Sequence, residues 1–170
     1  MTKILLIVHV LAAVLAVGPV AVAASMFPAA IRRASARPAE EPALEPALGA
    51  TAAPGDDGPA MAGARLLHRV CRVYAVAGVA VPVFGLATAG AMHVTGDAWV
   101  IVSIVLTALA AAVLALLVLP RQQALLAGPR PLSATERGPA RLAMYTGLFN
   151  ILWAAVTVLM IVRPGSSTGA

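Results

Sequence analysis

The fold is decided by residues 4–31, which read ILLIVHVLAAVLAVGPVAVAASMFPAAI. This stretch contains no Asp, Glu, Lys or Arg, and its one ionisable side chain is His9. A bilayer core of about 30 Å needs about 20 apolar residues in a helix that rises about 1.5 Å per residue. The stretch is therefore long enough to cross a membrane, and we predict that it forms a spanning helix.

Small side chains recur on one side of this predicted helix. They share spacings of three and four residues with the histidine, and the set is His9, Ala12, Ala16, Pro19, Ala23, Met26 and Ala30. Membrane helices pack through small residues, because lipid gives apolar side chains no incentive to associate. We therefore expect His9 to face other helices rather than lipid.

Composition extends this interpretation to the whole chain. Of the 170 residues, 61% are hydrophobic and 11% are charged, whereas soluble domains carry about 25% charged residues. Three further apolar runs predict spans at about 73–94, 98–119 and 142–162. We predict an all-α fold, a single integral membrane domain in which four transmembrane helices form an antiparallel bundle.

The segments between the spans are polar or rich in proline. Residues 34–64 combine Ala, Pro and Glu without apolar periodicity, which predicts a flexible loop between the first and second helices. We predict that residues 165–170 form a disordered tail. Nothing in either segment resembles a nucleic-acid motif, so we expect no nucleic-acid partner.

Positive charge predicts the orientation. Ten of the twelve basic residues follow the first or third span, and only Lys3 and Arg163 lie on the other side. The positive-inside rule then places both basic loops in the cytoplasm and both termini outside. Cleavage of the first span as a signal peptide would invert this arrangement, so we expect it to be retained. We also expect the arginine clusters to attract anionic lipid.

That topology groups the residues that could hold a metal or cofactor. His9, Met92, His93, Asp97 and Met160 are all expected in the outer half of the bundle. Imidazole and thioether groups suit copper, and paired imidazoles suit haem iron. Because an ionisable residue inside a membrane is a functional candidate by default, His9 is the first candidate ligand for haem b or copper. His93 is its candidate co-ligand, and Met92 and Met160 are further metal candidates.

The alternative is that His9 is a neutral side chain hydrogen-bonded across helices. Its conceivable partners are Ser103, Thr107 and Asn150, which we also predict to be structural polar contacts within the membrane. Asn150 lies near the middle of the fourth span and needs a partner inside the bundle. Ser103 and Thr107 lie one turn apart and can bond to their own backbone or to a neighbouring helix.

Three functions remain open from the residues alone. The sequence has no nucleophile–base constellation, phosphate loop or paired carboxylate, which favours a non-enzymatic, structural or accessory membrane protein. The second function is a haem- or copper-binding redox or metal-handling protein that uses His9. The third is a small oligomeric transporter subunit. A homo-oligomer or a membrane protein partner is compatible with each. Arg outnumbers Lys eleven to one, a bias typical of GC-rich bacteria, so we expect a bacterial inner membrane.

Several short segments resemble a known family. They are Val8–Ala13 followed by Gly18, an arginine-rich start of the second span with Gly85 late in it, and Leu159–Pro164. They resemble a bacterial predicted integral-membrane family of unknown function. That family is distantly similar to copper-resistance D type proteins and to four-helix haem-linked protoporphyrinogen oxidases. The resemblance implies a four-helix membrane fold and, for His9, the role of a cofactor ligand.

Overall fold

The computed structural model describes residues 2–35, 59–127 and 137–165. Four helical spans in these ranges are long and apolar enough to cross a membrane: Lys3–Ser35, Pro59–Ala91, Ala98–Leu126 and Gly138–Val162, here called spans 1 to 4. The predicted all-α four-helix bundle is confirmed, and its helices indicate a multi-pass membrane protein. The centre of the predicted 34–64 loop and the last five residues of the predicted tail lie outside the described residues.

Span 1 is one continuous helix, α1 (Thr2–Ser35), which passes through Pro19 and Pro28. Its buried face combines small residues with a few large ones, including Val20, Ala23, Ala24, Phe27 and Ile31. The small residues allow close approach of neighbouring backbones. As a result α1 packs on span 2 along one side and on span 4 along another.

Span 2 consists of two helices, α2 (Pro59–Ala77) and α3 (Ala80–Ala91). They meet at Gly78-Val79, four residues before Pro82. Because proline has no N–H, the Gly78 carbonyl lacks its usual partner four residues on and instead accepts a hydrogen bond from Val81 N–H at 3.1 Å. After the break, α3 packs on α1 separately from α2.

The helix of span 2 begins at Pro59, well before the predicted start at residue 73. Residues 59–72 contain several arginines and therefore resemble a loop in composition. In the structure Ala64 and Cys71 are fully buried while Arg69 and Arg72 are exposed. This stretch is an amphipathic helix whose buried side chains recur with helical spacing.

Span 3 consists of α4 (Ala98–Ala112), a π-helical segment (Val113–Val118) and α5 (Leu119–Leu126). It continues beyond Pro120, where the sequence predicted its end. A proline in an α-helix clashes with the carbonyl four residues earlier. The wider π turn, in which Leu119 N–H bonds to the Leu114 carbonyl, accommodates Pro120 without ending the helix.

Span 4 is the helix α6 (Arg137–Val162), which packs on span 1 and on span 3. Spans 2 and 3 touch near their two ends, through α2 with α5 and through α3 with α4. We call the end with residues 92–97 the turn end. The opposite end carries most of the described arginines and is called the arginine-rich end: Arg32, Arg33, Arg65, Arg69, Arg72, Arg121, Arg137 and Arg141.

The outer surface of the bundle is apolar. Val76, Leu116 and Ile161 are each more than 70% exposed, and many other large apolar side chains are also exposed. On a soluble monomer a surface of this kind would be a large hydrophobic patch. Facing lipid it is the expected surface of a spanning bundle.

Candidate functional site around His9

His9 lies on α1 with its side chain 7% exposed. Its Nδ1 is 2.9 Å from the carbonyl oxygen of Val81 on α3. A carbonyl oxygen only accepts hydrogen bonds, so Nδ1 must carry the proton. When the ring is neutral, its lone pair is on Nε2.

Gly85 provides the space for this ring. A Cβ atom added at Gly85 would lie 2.9 Å from Cε1 and 3.2 Å from Nδ1 of His9. Val81 and Gly85 are one turn apart on α3, so the imidazole lies across the backbone of that turn. The contact therefore depends on a residue without a side chain opposite the ring.

This geometry permits two kinds of chemistry. The Nδ1 hydrogen bond joins span 1 to span 2 and satisfies a polar group that would be expensive to leave unpaired in lipid. It also orients the ring in the way that backbone carbonyls orient metal-ligating histidines, with Nε2 as the free donor atom. His9 can thus serve as an interhelical contact, as a ligand, or as both.

The structure gives His93 a role in ending α3. His93 is exposed and has a positive φ of 57°. Its N–H bonds to the Gly90 carbonyl and that of Val94 bonds to the Ala89 carbonyl, both at 3.1 Å. This is the Schellman motif, in which the residue with positive φ is most often glycine. The half-buried Met92 caps the same helix end through its own N–H and the Thr88 carbonyl.

Met160 and Asp97 belong to a small cluster at the turn end. Met160 packs against a group that contains Trp99, and its carbonyl accepts a hydrogen bond from Arg163 Nε at 3.2 Å. The Arg163 guanidinium lies 5.6 Å from the centre of the Trp99 ring. Trp99 Nε1 donates to Asp97 Oδ2 at 3.1 Å. Polar and aromatic groups together close this end of the bundle.

The three predicted polar residues find partners other than His9. Ser103 Oγ donates to the Trp99 carbonyl and Thr107 Oγ1 to the Ser103 carbonyl, each at 2.7 Å within α4. Asn150 Nδ2 donates to Ser25 Oγ at 3.2 Å, which links span 4 to span 1. Asn150 Oδ1 is buried without a partner among the described residues.

Gln122 is a buried polar residue that sequence reasoning missed. It is fully buried between α5 and α2, with Oε1 3.0 Å from His68 Nδ1. Its Nε2 donates to Cys71 Sγ at 3.5 Å. The signal was present in the spacing, because His68 and Cys71 share one face of a helix. It was hidden because Pro120 indicated that span 3 had already ended.

The fold defines the class as a four-helix multi-pass membrane protein, and no family model, curated protein or solved structure matches the chain. Within the three described ranges, no group of three or more His, Cys, Asp or Glu side chains could hold a metal ion.

Proposed function

We propose that this is a bacterial inner-membrane protein with both termini outside and a structural or accessory role. This proposal rests on the contacts that His9 makes with span 2. Its Nδ1 bonds to the Val81 carbonyl at 2.9 Å and its ring fills the space above Gly85. The intramembrane ionisable group thus acts as a contact that holds span 1 against span 2.

Other polar side chains support the same role. Asn150 bonds to Ser25 between spans 4 and 1, and Gln122 bonds to His68 between spans 3 and 2. Hydrogen bonds between membrane helices contribute about 0.6 kcal/mol on average and up to about 2 kcal/mol. With His9 included, each of these polar contacts joins two different spans.

The distribution of charge supports the proposed orientation. The arginine-rich end has eight described arginines, whereas the turn end has two described basic residues, Lys3 and Arg163. Positive residues close to the membrane determine topology more strongly than acidic residues do. The arginine-rich end is accordingly assigned to the cytoplasm.

Cysteine labelling tests this orientation. The buried Cys71 is first replaced by serine, and a single cysteine is then introduced as Gly96→Cys at the turn end or Ser35→Cys at the arginine-rich end. A membrane-impermeant maleimide should label the first variant in intact spheroplasts and the second only after permeabilisation. The reverse pattern would contradict the assignment.

An optical spectrum and metal analysis test the structural role. Wild type and His9→Ala are purified in mild detergent, and their unfolding is compared. A structural role predicts a loss of about 1 kcal/mol in the free energy of unfolding and identical spectra. A Soret band or stoichiometric copper that disappears in His9→Ala would replace this proposal with a cofactor function.

That cofactor function is the second candidate, and the tautomer of His9 favours it. With Nδ1–H donated to a backbone carbonyl, Nε2 has the orientation and basicity of a ligand to haem iron or copper. His9 fits one ligand position, while His93 is exposed and ends α3. Among the described residues no group of three or more His, Cys, Asp or Glu side chains could hold a metal ion, and a ligand from another chain would complete the set.

A further inference from the structure

A cavity of about 140 Å³ lies between spans 2 and 3 at the level of the break in span 2. Its floor is formed by buried residues of spans 1 and 4, among them Val17, Val20 and Phe149. Its rim includes Val79 and Ala111, which are exposed. The cavity therefore opens sideways, through the surface of the bundle that faces lipid.

The shape and chemistry of the cavity select its occupant. Its lining is almost entirely apolar, and an apolar cavity of about 150 Å³ holds a small apolar group rather than water. Packing of α2 on α5 closes one end, and contacts of α3 with α4 close the other. A helix about 10 Å in diameter needs a groove that is open along its length. A flexible hydrocarbon chain can enter from the side.

The positive charge of Arg72 lies near the opening of the cavity. Arg72 is exposed and lies one turn before Ala75 and two turns before Val79, both of which line the cavity. Seven residues separate Arg72 from Val79, which places the Arg72 backbone about 10 Å from that of Val79, toward the arginine-rich end. Tyr74, also in the lining, is 36% exposed between them. An apolar cavity with a cation nearer the arginine-rich end matches a phospholipid, in which the apolar tail is followed by a charged phosphate.

We propose that this cavity binds a segment of one acyl chain of an anionic phospholipid whose phosphate pairs with Arg72. The acyl chain lies against the break in span 2, since Gly78, Val79 and Pro82 all line the cavity. The lipid comes from the leaflet at the arginine-rich end. The site is independent of His9 and of the proposed structural role.

Native mass spectrometry of the full chain tests this site. The protein is exposed in mild detergent to equal amounts of phosphatidylglycerol and phosphatidylcholine. One phosphatidylglycerol should be retained over phosphatidylcholine by about five-fold, the effect of one arginine near a membrane surface. Arg72→Gln should abolish the preference, whereas Arg141→Gln, at an exposed arginine outside the cavity, should keep it.

Filling the cavity is the second arm of the test. Ala111→Phe should lower retention of both lipids several-fold, because the new ring occupies the space of the acyl chain. Ala108→Phe is the matched control, since Ala108 is exposed on the same helix but does not line the cavity. If Ala111→Phe fails to fold, Val79→Trp fills the same opening from the other rim.

Photo-crosslinking locates the chain without any substitution. A phosphatidylglycerol with a diazirine in its acyl chain should attach near Val79 or Ala111. Equal retention of the two lipids, equal retention by Ala111→Phe and Ala108→Phe, or attachment elsewhere on the bundle would overturn the proposal. A co-purifying protein crosslinked at Val79 would also overturn it and assign the opening to a protein partner.

Discussion

At the scale of single residues, His9 and Gly85 fit together only because Gly85 has no side chain. A Cβ atom there would approach Cε1 of His9 to 2.9 Å, a distance at which one group must move. The imidazole is held by its hydrogen bond to Val81, so movement of the ring costs that bond as well. The pair is therefore a sensitive test of how spans 1 and 2 pack.

We expect Gly85→Ala to lower the free energy of unfolding by about 1–3 kcal/mol, the usual cost of overpacking. Thermal or chemical unfolding in detergent measures the change. Gly90→Ala on the same helix, where no atom lies within 4 Å of the added Cβ, should have little effect. Adding His9→Ala should recover part of the loss, because neighbouring substitutions are non-additive. Additive losses would show that the ring is not the obstacle.

A second prediction at this scale separates two roles of His93. Since its φ is 57°, a side chain at this position costs about 1 kcal/mol relative to glycine. His93→Gly should therefore unfold at equal or slightly higher temperature, and His93→Val at lower temperature. If His93 is instead a ligand, His93→Gly should lose bound metal, which the metal analysis of purified protein would detect.

The partner of His9 could not be predicted from the sequence. The histidine itself is conspicuous, because it is the one ionisable group in residues 4–31. Its acceptor is a backbone carbonyl, and every residue has one. The choice of Val81 depends on the path of α3 after the break at Gly78-Val79, which spacing alone does not determine. Gly85 recurs at seven-residue spacing with Cys71, Gly78 and Met92, which predicts a close-packed face of the helix but not the residue that it contacts.

At the scale of helices, the differences from prediction have local causes. The start of α2 was hidden by its arginines, although the buried Ala64 and Cys71 have helical spacing. The continuation of span 3 was hidden by Pro120, which normally ends or kinks a helix. The π segment before it relieves the clash, and a π turn has no simple signature in sequence.

Gln122 provides the prediction at this scale. Gln122→Leu removes the hydrogen bonds to His68 and Cys71 that join α5 to α2. We expect the free energy of unfolding to fall by about 0.5–2 kcal/mol, measured by unfolding in detergent. The neighbouring Gln123 is exposed, so Gln123→Leu is the matched control. Equal stability of the two variants would mean that Gln122 contributes packing alone.

At the scale of the whole molecule, the four-span architecture follows directly from the sequence. Runs of apolar residues long enough to cross a bilayer leave few alternatives, because only helices and closed barrels satisfy backbone hydrogen bonds in lipid. The sequence does not determine which spans touch. Span 1 contacts both span 2 and span 4, whereas spans 2 and 3 separate in the middle. These contacts depend on where small residues and proline lie along each helix.

The prediction for the whole molecule concerns the unequal positive charge at the two ends of the bundle. Replacing Arg69, Arg72, Arg121 and Arg141 by glutamine should produce a mixed orientation, because the difference in positive charge that favours a single orientation is reduced. A reporter fused to the C-terminus should then give signal from both sides of the membrane. Lys3→Gln with Arg163→Gln should leave a single orientation. An unchanged single orientation in the four-arginine variant would contradict the prediction.

The large separation in sequence between His9 and its acceptor has a consequence for biosynthesis. The two residues are 72 positions apart in the chain. A ribosome adds about 5–20 residues per second, so roughly 4–14 s pass between their syntheses. During that interval the first helix has no Val81 carbonyl to accept a hydrogen bond from its imidazole N–H. The nascent chain therefore has a polar group that water, lipid headgroups or the insertion machinery must satisfy until the second helix arrives.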